Sequence, residues 1–256
     1  MRVAVLGIYM TLALLAGCST NYEDDNDKVS FSKPDYKKAA LLNVKMGETY
    51  LADEQYSRAK TKLIHALKLQ PQLPEVHSAL GYYYESIGEI KDAEQHYKRA
   101  VSLGSNNGRY HNNFGTFLCR NGKYKAANDA FMHALKDKQY IQTAEVFENA
   151  GICAQSAQDL PAAYSYLSQS LRHDPTRNQV HLPLAKVCNK LGKSKEAQRH
   201  LQEYRQYNPI NPQYLVLFIA VNQALGNKDE ISSAELKLKN LYANSSEAQN
   251  YFKSES

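Results

Sequence analysis

Five small residues fall at nearly constant intervals along the chain and constrain its fold more than any other feature. Gly47, Gly81, Gly115, Gly151 and Ala185 stand 34, 34, 36 and 34 residues apart. A period of this length marks one supersecondary unit repeated and stacked on itself. The surroundings repeat too. A bulky residue precedes the small one in four units (Met46, Leu80, Phe114, Leu184), and twelve residues after it comes Ala59, Ala93, Ala127, Ala163 or Ala197. Four further on is Leu63, Tyr97, Phe131, Leu167 or Leu201, and three beyond that Ala66, Ala100, Ala134, Ser170 or Tyr204. Two antiparallel helices pack closely only where small residues let their backbones approach, with large side chains interlocking around them. Ile87-Gly88-Glu89, Asn121-Gly122-Lys123 and Leu191-Gly192-Lys193 read as turns with a left-handed glycine cap. Asp159-Leu160-Pro161 reads as a capped helix start.

This pattern resembles the tetratricopeptide repeat. The resemblance implies an all-α fold, an α-α superhelix of about six helix-turn-helix units over residues 36–243. The units start near residues 40, 74, 108, 144, 178 and 212. The sixth, Pro212 to about Tyr242, keeps helical periodicity but loses the small residues, as a terminal capping unit does. Residues 244–256 read as a C-terminal tail. Pro183, inside the fifth unit's first helix, is expected to remove a hydrogen bond and bend the helix start.

The N-terminal end is of a different kind. Arg2 precedes an apolar run from Val3 to Leu15, too short to span a bilayer, so residues 1–17 read as a secretory signal. Leu15-Ala16-Gly17-Cys18 resembles the lipobox of bacterial lipoproteins, which implies cleavage before Cys18 and lipidation of it. More than one acyl chain anchors a protein stably. Ser19 at the following position implies, by the same resemblance, sorting to the outer membrane, with the protein facing the periplasm. Residues 18–35, with Glu23, Asp24, Asp25 and Asp27, read as a flexible acidic tether. Net charge is +5 with no basic block, so nucleic-acid binding is not indicated. Cys119, Cys153 and Cys188 fall in the first helices of successive units. Those helices are expected to lie too far apart for a bridge, leaving three buried free thiols.

In a stack of such helix pairs the first helices line a concave wall suited to segments of other proteins. Positions carried over from the tetratricopeptide-repeat family place Leu41, Val44, Glu48, Leu51 and Ala52 on that wall in the first unit, with Tyr82, Asn112 and Glu148 in the next three. Only the first unit is mostly apolar there, so its groove is the expected partner contact, unless residues 29–38, with Phe31 and Tyr36, fold back over it. His77, His111 and His181 share one repeat position and are too far apart to hold one metal. The sequence shows no nucleophile–base pairing or phosphate loop. An enzyme, a cofactor, a metal site and a small-molecule substrate are therefore not expected.

Asn112-Asn113-Phe114-Gly115 and Val146-Phe147-Glu148-Asn149-Ala150-Gly151, together with Leu238-Lys239-Asn240-Leu241-Tyr242 near the end, are similar to the type IV pilus biogenesis and stability lipoproteins (PilF/PilW). That resemblance implies a pilotin, an outer-membrane lipoprotein whose partner is the PilQ-like pilus secretin and which helps it localise and multimerise. The alternative on the same anchor and fold is an adaptor that docks peptidoglycan hydrolases or other envelope enzymes. A third is a lipoprotein of the outer-membrane protein insertion machinery.

Overall fold

The computed structural model describes residues 35–254, and the signal segment, Cys18 and most of the tether lie outside them. The described residues are helical throughout and form six hairpins and a final helix. These are α1 (Tyr36–Ala52) with α2 (Tyr56–Leu69), α3 (Pro74–Ser86) with α4 (Ile90–Leu103), and α5 (Gly108–Arg120) with α6 (Tyr124–Ala134). Then come α7 (Thr143–Ser156) with α8 (Leu160–His173), α9 (His181–Lys190) with α10 (Ser194–Tyr207), α11 (Pro212–Leu225) with α12 (Lys228–Tyr242), and α13 (Ser246–Ser254). Each hairpin packs on the next, first helix beside first helix except between α7 and α9, which barely touch. None of these helices is long and apolar enough to cross a membrane.

The small residues of the repeat sit where the helices of a pair meet. A Cβ added at Gly47, Gly81, Gly115 or Gly151 would come within 2.6–2.9 Å of Leu63, Tyr97, Phe131 or Leu167 respectively. That is far inside the 3.5–4.0 Å of a relaxed carbon contact, so each glycine is a notch for the large residue sixteen positions on. The second-helix alanines Ala59, Ala93, Ala127, Ala163 and Ala197 are all fully buried. The core is thus a strip running along the stack, in clusters over units one and two, two to four, and four to six.

Local chemistry ends and starts the helices as the sequence suggests. Gly88, Gly122 and Gly192 take φ of +80°, +73° and +73° in the hairpin turns. Units one and four place Glu54 (φ +57°) and Gln158 (φ +63°) at that same turn position, which costs roughly 1–2 kcal/mol for a residue with a Cβ. Asp159 accepts from the Ala162 amide at 3.1 Å and caps α8; Asn211 caps α11 by accepting from Tyr214 at 2.8 Å.

Three expectations are corrected. Cys119 and Cys153 form a disulfide between α5 and α7, their Cα atoms 5.7 Å apart. The stacking of unit four on unit three brings α5 and α7 into direct contact at that level, closer than the repeat spacing alone suggested. Cys188 alone remains a free, buried thiol among the described residues. Pro183 costs no helical hydrogen bond: the chain winds as a 3₁₀ turn over Asn178–Val180 and α9 starts at His181, so Pro183 occupies the first turn. Residues 246–254 are not a tail but α13, which seats Ala248 against α11 and donates from Tyr251 to Glu235 at 2.7 Å. Tyr36–Lys38 belong to α1 itself, and whether the preceding residues 29–34, with Phe31, cover the first-unit groove lies outside the described residues.

Candidate functional site

The concave wall carries two different surfaces. Over the first four units it is polar and internally tied. Asn113 donates to Ser78 Oγ at 3.0 Å, Asn112 to Glu145 Oε1 at 3.2 Å, and Asn149 to Asn112 Oδ1 at 3.1 Å. Glu85 accepts from Arg120 at 3.1 Å and from Tyr97 at 2.9 Å. Burial and the adjoining Glu85 carboxylate both hold the Tyr97 phenol protonated. Glu48 lines the same hollow of about 330 Å³. Glu48 keeps solvent access, but the partial desolvation of its carboxyl in that hollow raises it, and Arg109 opposes the rise.

The second surface is apolar and lies between α7, α9 and α11. Ile152, Leu182, Pro183, Val216, Leu217 and Ala220 line a groove of about 680 Å³. It opens because α7 and α9 touch less than other neighbouring first helices, the 3₁₀ turn and Pro183 having altered the fifth unit's entry. Lys186 and Lys190 stand exposed on its rim. Gln155 Nε2, buried in its wall, has no hydrogen-bond partner among the described residues. An orphan buried donor costs about 1–3 kcal/mol, and an acceptor arriving in the groove would remove that cost.

The residues anticipated for partner contact divide accordingly. Leu41 (37% exposed), Glu48, Ala52 and Tyr82 (45% exposed) face solvent. Val44 and Leu51 do not: both are buried in the core between α1 and α3, because the first unit's apolar residues pack against Val76, Leu80 and Tyr83. Asn112, 2% exposed, spends both amide groups on its neighbours and is a cross-link between repeats. Glu148 lies at the apolar groove, but its Oε2 is held by Arg177, whose Nε is 2.8 Å away, and by Gln179. The groove itself was missed. Its signal was α11, where Gln213 to Leu225 contains no charged residue and Tyr214 to Val221 is an unbroken apolar run, more apolar surface than one packed face needs.

Comparison with known proteins accords with this architecture. Tetratricopeptide-repeat patterns match residues 74–107 and 154–217. The chain is 27% identical over 251 residues to the type IV pilus assembly protein PilF of Pseudomonas aeruginosa, covering 98% of both chains. An uncharacterized protein of Haemophilus influenzae is 39% identical over 131 residues, 51% of this chain and 73% of that one. A solved structure of Pseudomonas aeruginosa PilF superposes with a TM-score of 0.77 at 28% identity, covering 86% of this chain and 99% of the other. The chain is a tetratricopeptide-repeat protein of the type IV pilus kind, homologous to PilF. PilW, described as a widely conserved type IV pilus biogenesis factor, shares the fold: TM-score 0.78 at 23% identity, over 83% of this chain and 98% of that one. As a repeat protein of the pilus system it works through protein partners, and the two concave surfaces are where a partner segment can lie.

Proposed function

We propose that this protein is a pilotin: an outer-membrane lipoprotein, anchored through Cys18 and facing the periplasm, that helps the type IV pilus secretin localise and multimerise. The observation that carries the reading is similarity to PilF along 98% of both chains, for a domain whose concave wall is built to hold protein segments. The lipid holds the solenoid at the membrane and the tether sets its reach. Confinement raises the effective concentration of partner and protein, so a modest contact suffices.

The contact is better assigned to the apolar groove of units four to six than to the first unit. The groove buries an apolar face, its rim lysines suit acidic side chains, and Gln155 Nε2 awaits an acceptor. The occupant is an amphipathic secretin segment bearing acidic residues.

The test is the heat-resistant secretin multimer in outer-membrane fractions. A deletion strain is compared with strains carrying wild type, Val216→Glu/Leu217→Glu or Leu41→Glu. Loss on deletion, restored by wild type and Leu41→Glu but not by the groove variant, is the expected outcome. Restoration by the groove variant and not by Leu41→Glu would return the contact to the first unit. An unchanged multimer in the deletion strain would overturn the pilotin reading, and altered cell-wall turnover beside it would favour the adaptor.

A further inference from the structure

A second constellation of reactive side chains lies away from the concave wall, inside the fifth hairpin. Cys188 on α9 is a free thiol with no exposed surface, and His200 on α10 is 8% exposed. With Glu196, one turn before His200, they offer a sulfur, a nitrogen and a carboxylate oxygen all within 4.8 Å of one another. His200 Nδ1 lies 3.0 Å from His181 Nδ1. That contact turns the other ring nitrogen, Nε2, toward Glu196 Oε1 at 3.9 Å. Glu196 is itself steadied by the Tyr164 hydroxyl, which donates to Oε1 at 2.7 Å.

The second unit supplies an internal control. His77 and His96 repeat the pair, Nδ1 to Nδ1 at 3.0 Å, with rings stacked 5.2 Å apart. There Asp92 stands where Glu196 does, and Tyr84 takes the place of Cys188, its ring stacked 5.3 Å from His96. The paired imidazoles are therefore a packing device of the repeat. Only the fifth unit exchanges the aromatic that covers the pair for a thiol, and sets a longer carboxylate beside it.

We propose that Cys188, Glu196 and His200 bind a divalent metal ion of the zinc class, with His181 orienting His200 and solvent completing the coordination. Sulfur, imidazole and carboxylate together are a zinc donor set, and three protein ligands leave one of four positions open. A ligand histidine whose second nitrogen is held by a partner is the usual supporting arrangement. A cysteine coordinates zinc as its thiolate. Binding therefore replaces the S–H bond with an S–metal bond and releases that proton to solvent. No electron is transferred, and no second reactant is needed.

Cobalt(II) is the probe. The purified full chain, oxidised so that Cys119 and Cys153 stay bridged, is titrated with Co²⁺ and then with Zn²⁺. The expected result is a thiolate-to-cobalt charge-transfer band saturating at one equivalent, with visible bands of four-coordinate intensity, both erased by Zn²⁺. Cys188→Ser should abolish the charge-transfer band. Glu196→Gln, at a partly exposed position that does not threaten folding, should weaken Zn²⁺ binding at least tenfold. His181→Phe, which keeps the ring stack, should weaken it about 10–100-fold, as loss of an outer hydrogen bond to a ligand does. His77→Phe should change nothing. Absence of a thiolate band in folded wild type, or a band that survives Cys188→Ser, would overturn the proposal.

Discussion

The notch at Gly115 gives the sharpest test of how the solenoid is held together. A Cβ there would sit 2.7 Å from Phe131 Cε1, 2.8 Å from Cδ1 and 3.1 Å from Cζ. Phe131 has no exposed surface and cannot swing away. Valine adds three carbons, and the first already needs the helices about 1 Å further apart. Overpacking of this kind costs about 1–3 kcal/mol, and a three-carbon insertion against a fixed ring belongs at the upper end. Valine's helix propensity returns roughly 0.4 kcal/mol relative to glycine. Gly115→Val is therefore expected to lose about 2.5 kcal/mol, a drop in Tm of about 5–10 °C for a domain of this size. Thermal and urea unfolding followed by far-ultraviolet circular dichroism, with the disulfide intact, reads it. In the fifth unit alanine already fills the equivalent notch, so Ala185→Gly should also destabilise, by about 1 kcal/mol of helix propensity. A Gly115→Val protein melting with or above the wild type would refute close approach as the reason for the repeat's small residues.

Other outcomes follow from the same structure. Gly122→Ala should cost about 1 kcal/mol although no atom lies within 4 Å of the added methyl, because φ is +73° there; an unchanged urea midpoint would contradict that. Removing the disulfide with Cys119→Ala/Cys153→Ala frees a loop of 34 residues and should lower stability by about 2–4 kcal/mol, read as a fall in Tm that wild type reproduces only under reductant. Burial, the facing His181 and Arg199 hold the folded pKa of His200 at about 4, whereas an unfolded histidine titrates near 6.5. Below about pH 6.5 the unfolded chain takes up a proton that the folded chain refuses, so stability present at neutral pH declines toward pH 4. His77, His96 and His181 are lowered in the same direction, again chiefly by burial. Urea titrations in the presence of a chelator should show a shallower decline in His200→Gln, and an identical slope would argue against a neutral buried ring.

Much of this protein was legible in its sequence, and the reason is the repeat. A 34-residue period ties together residues that contact one another only sixteen positions apart, so Gly81 with Tyr97 and Gly115 with Phe131 announce both helices and their packing. The turn glycines and the cap Asp159 act within a few residues of themselves. They were readable for the same reason. What lies between units was not. Whether Cys119 reaches Cys153, whether Val44 faces a partner or the core, and whether Asn112 is free or spent on Glu145 and Asn149 depend on how far one hairpin is offset from the next. That offset is the sum of many side-chain volumes and is carried by no single motif. The apolar groove shows this most plainly. Pro183 was visible as a disturbance, but only the stack shows that the altered entry of α9 parts it from α7 and uncovers Leu182, Val216 and Leu217. The cluster of Cys188, Glu196 and His200 has the same origin, since the antiparallel crossing of α9 and α10 sets the distance between a thiol on one helix and a carboxylate–imidazole pair on the other. Local chemistry and period determined the elements and their pairing; tertiary packing decided which surfaces remain open, because exposure belongs to neighbours that the residue's own stretch of sequence does not contain.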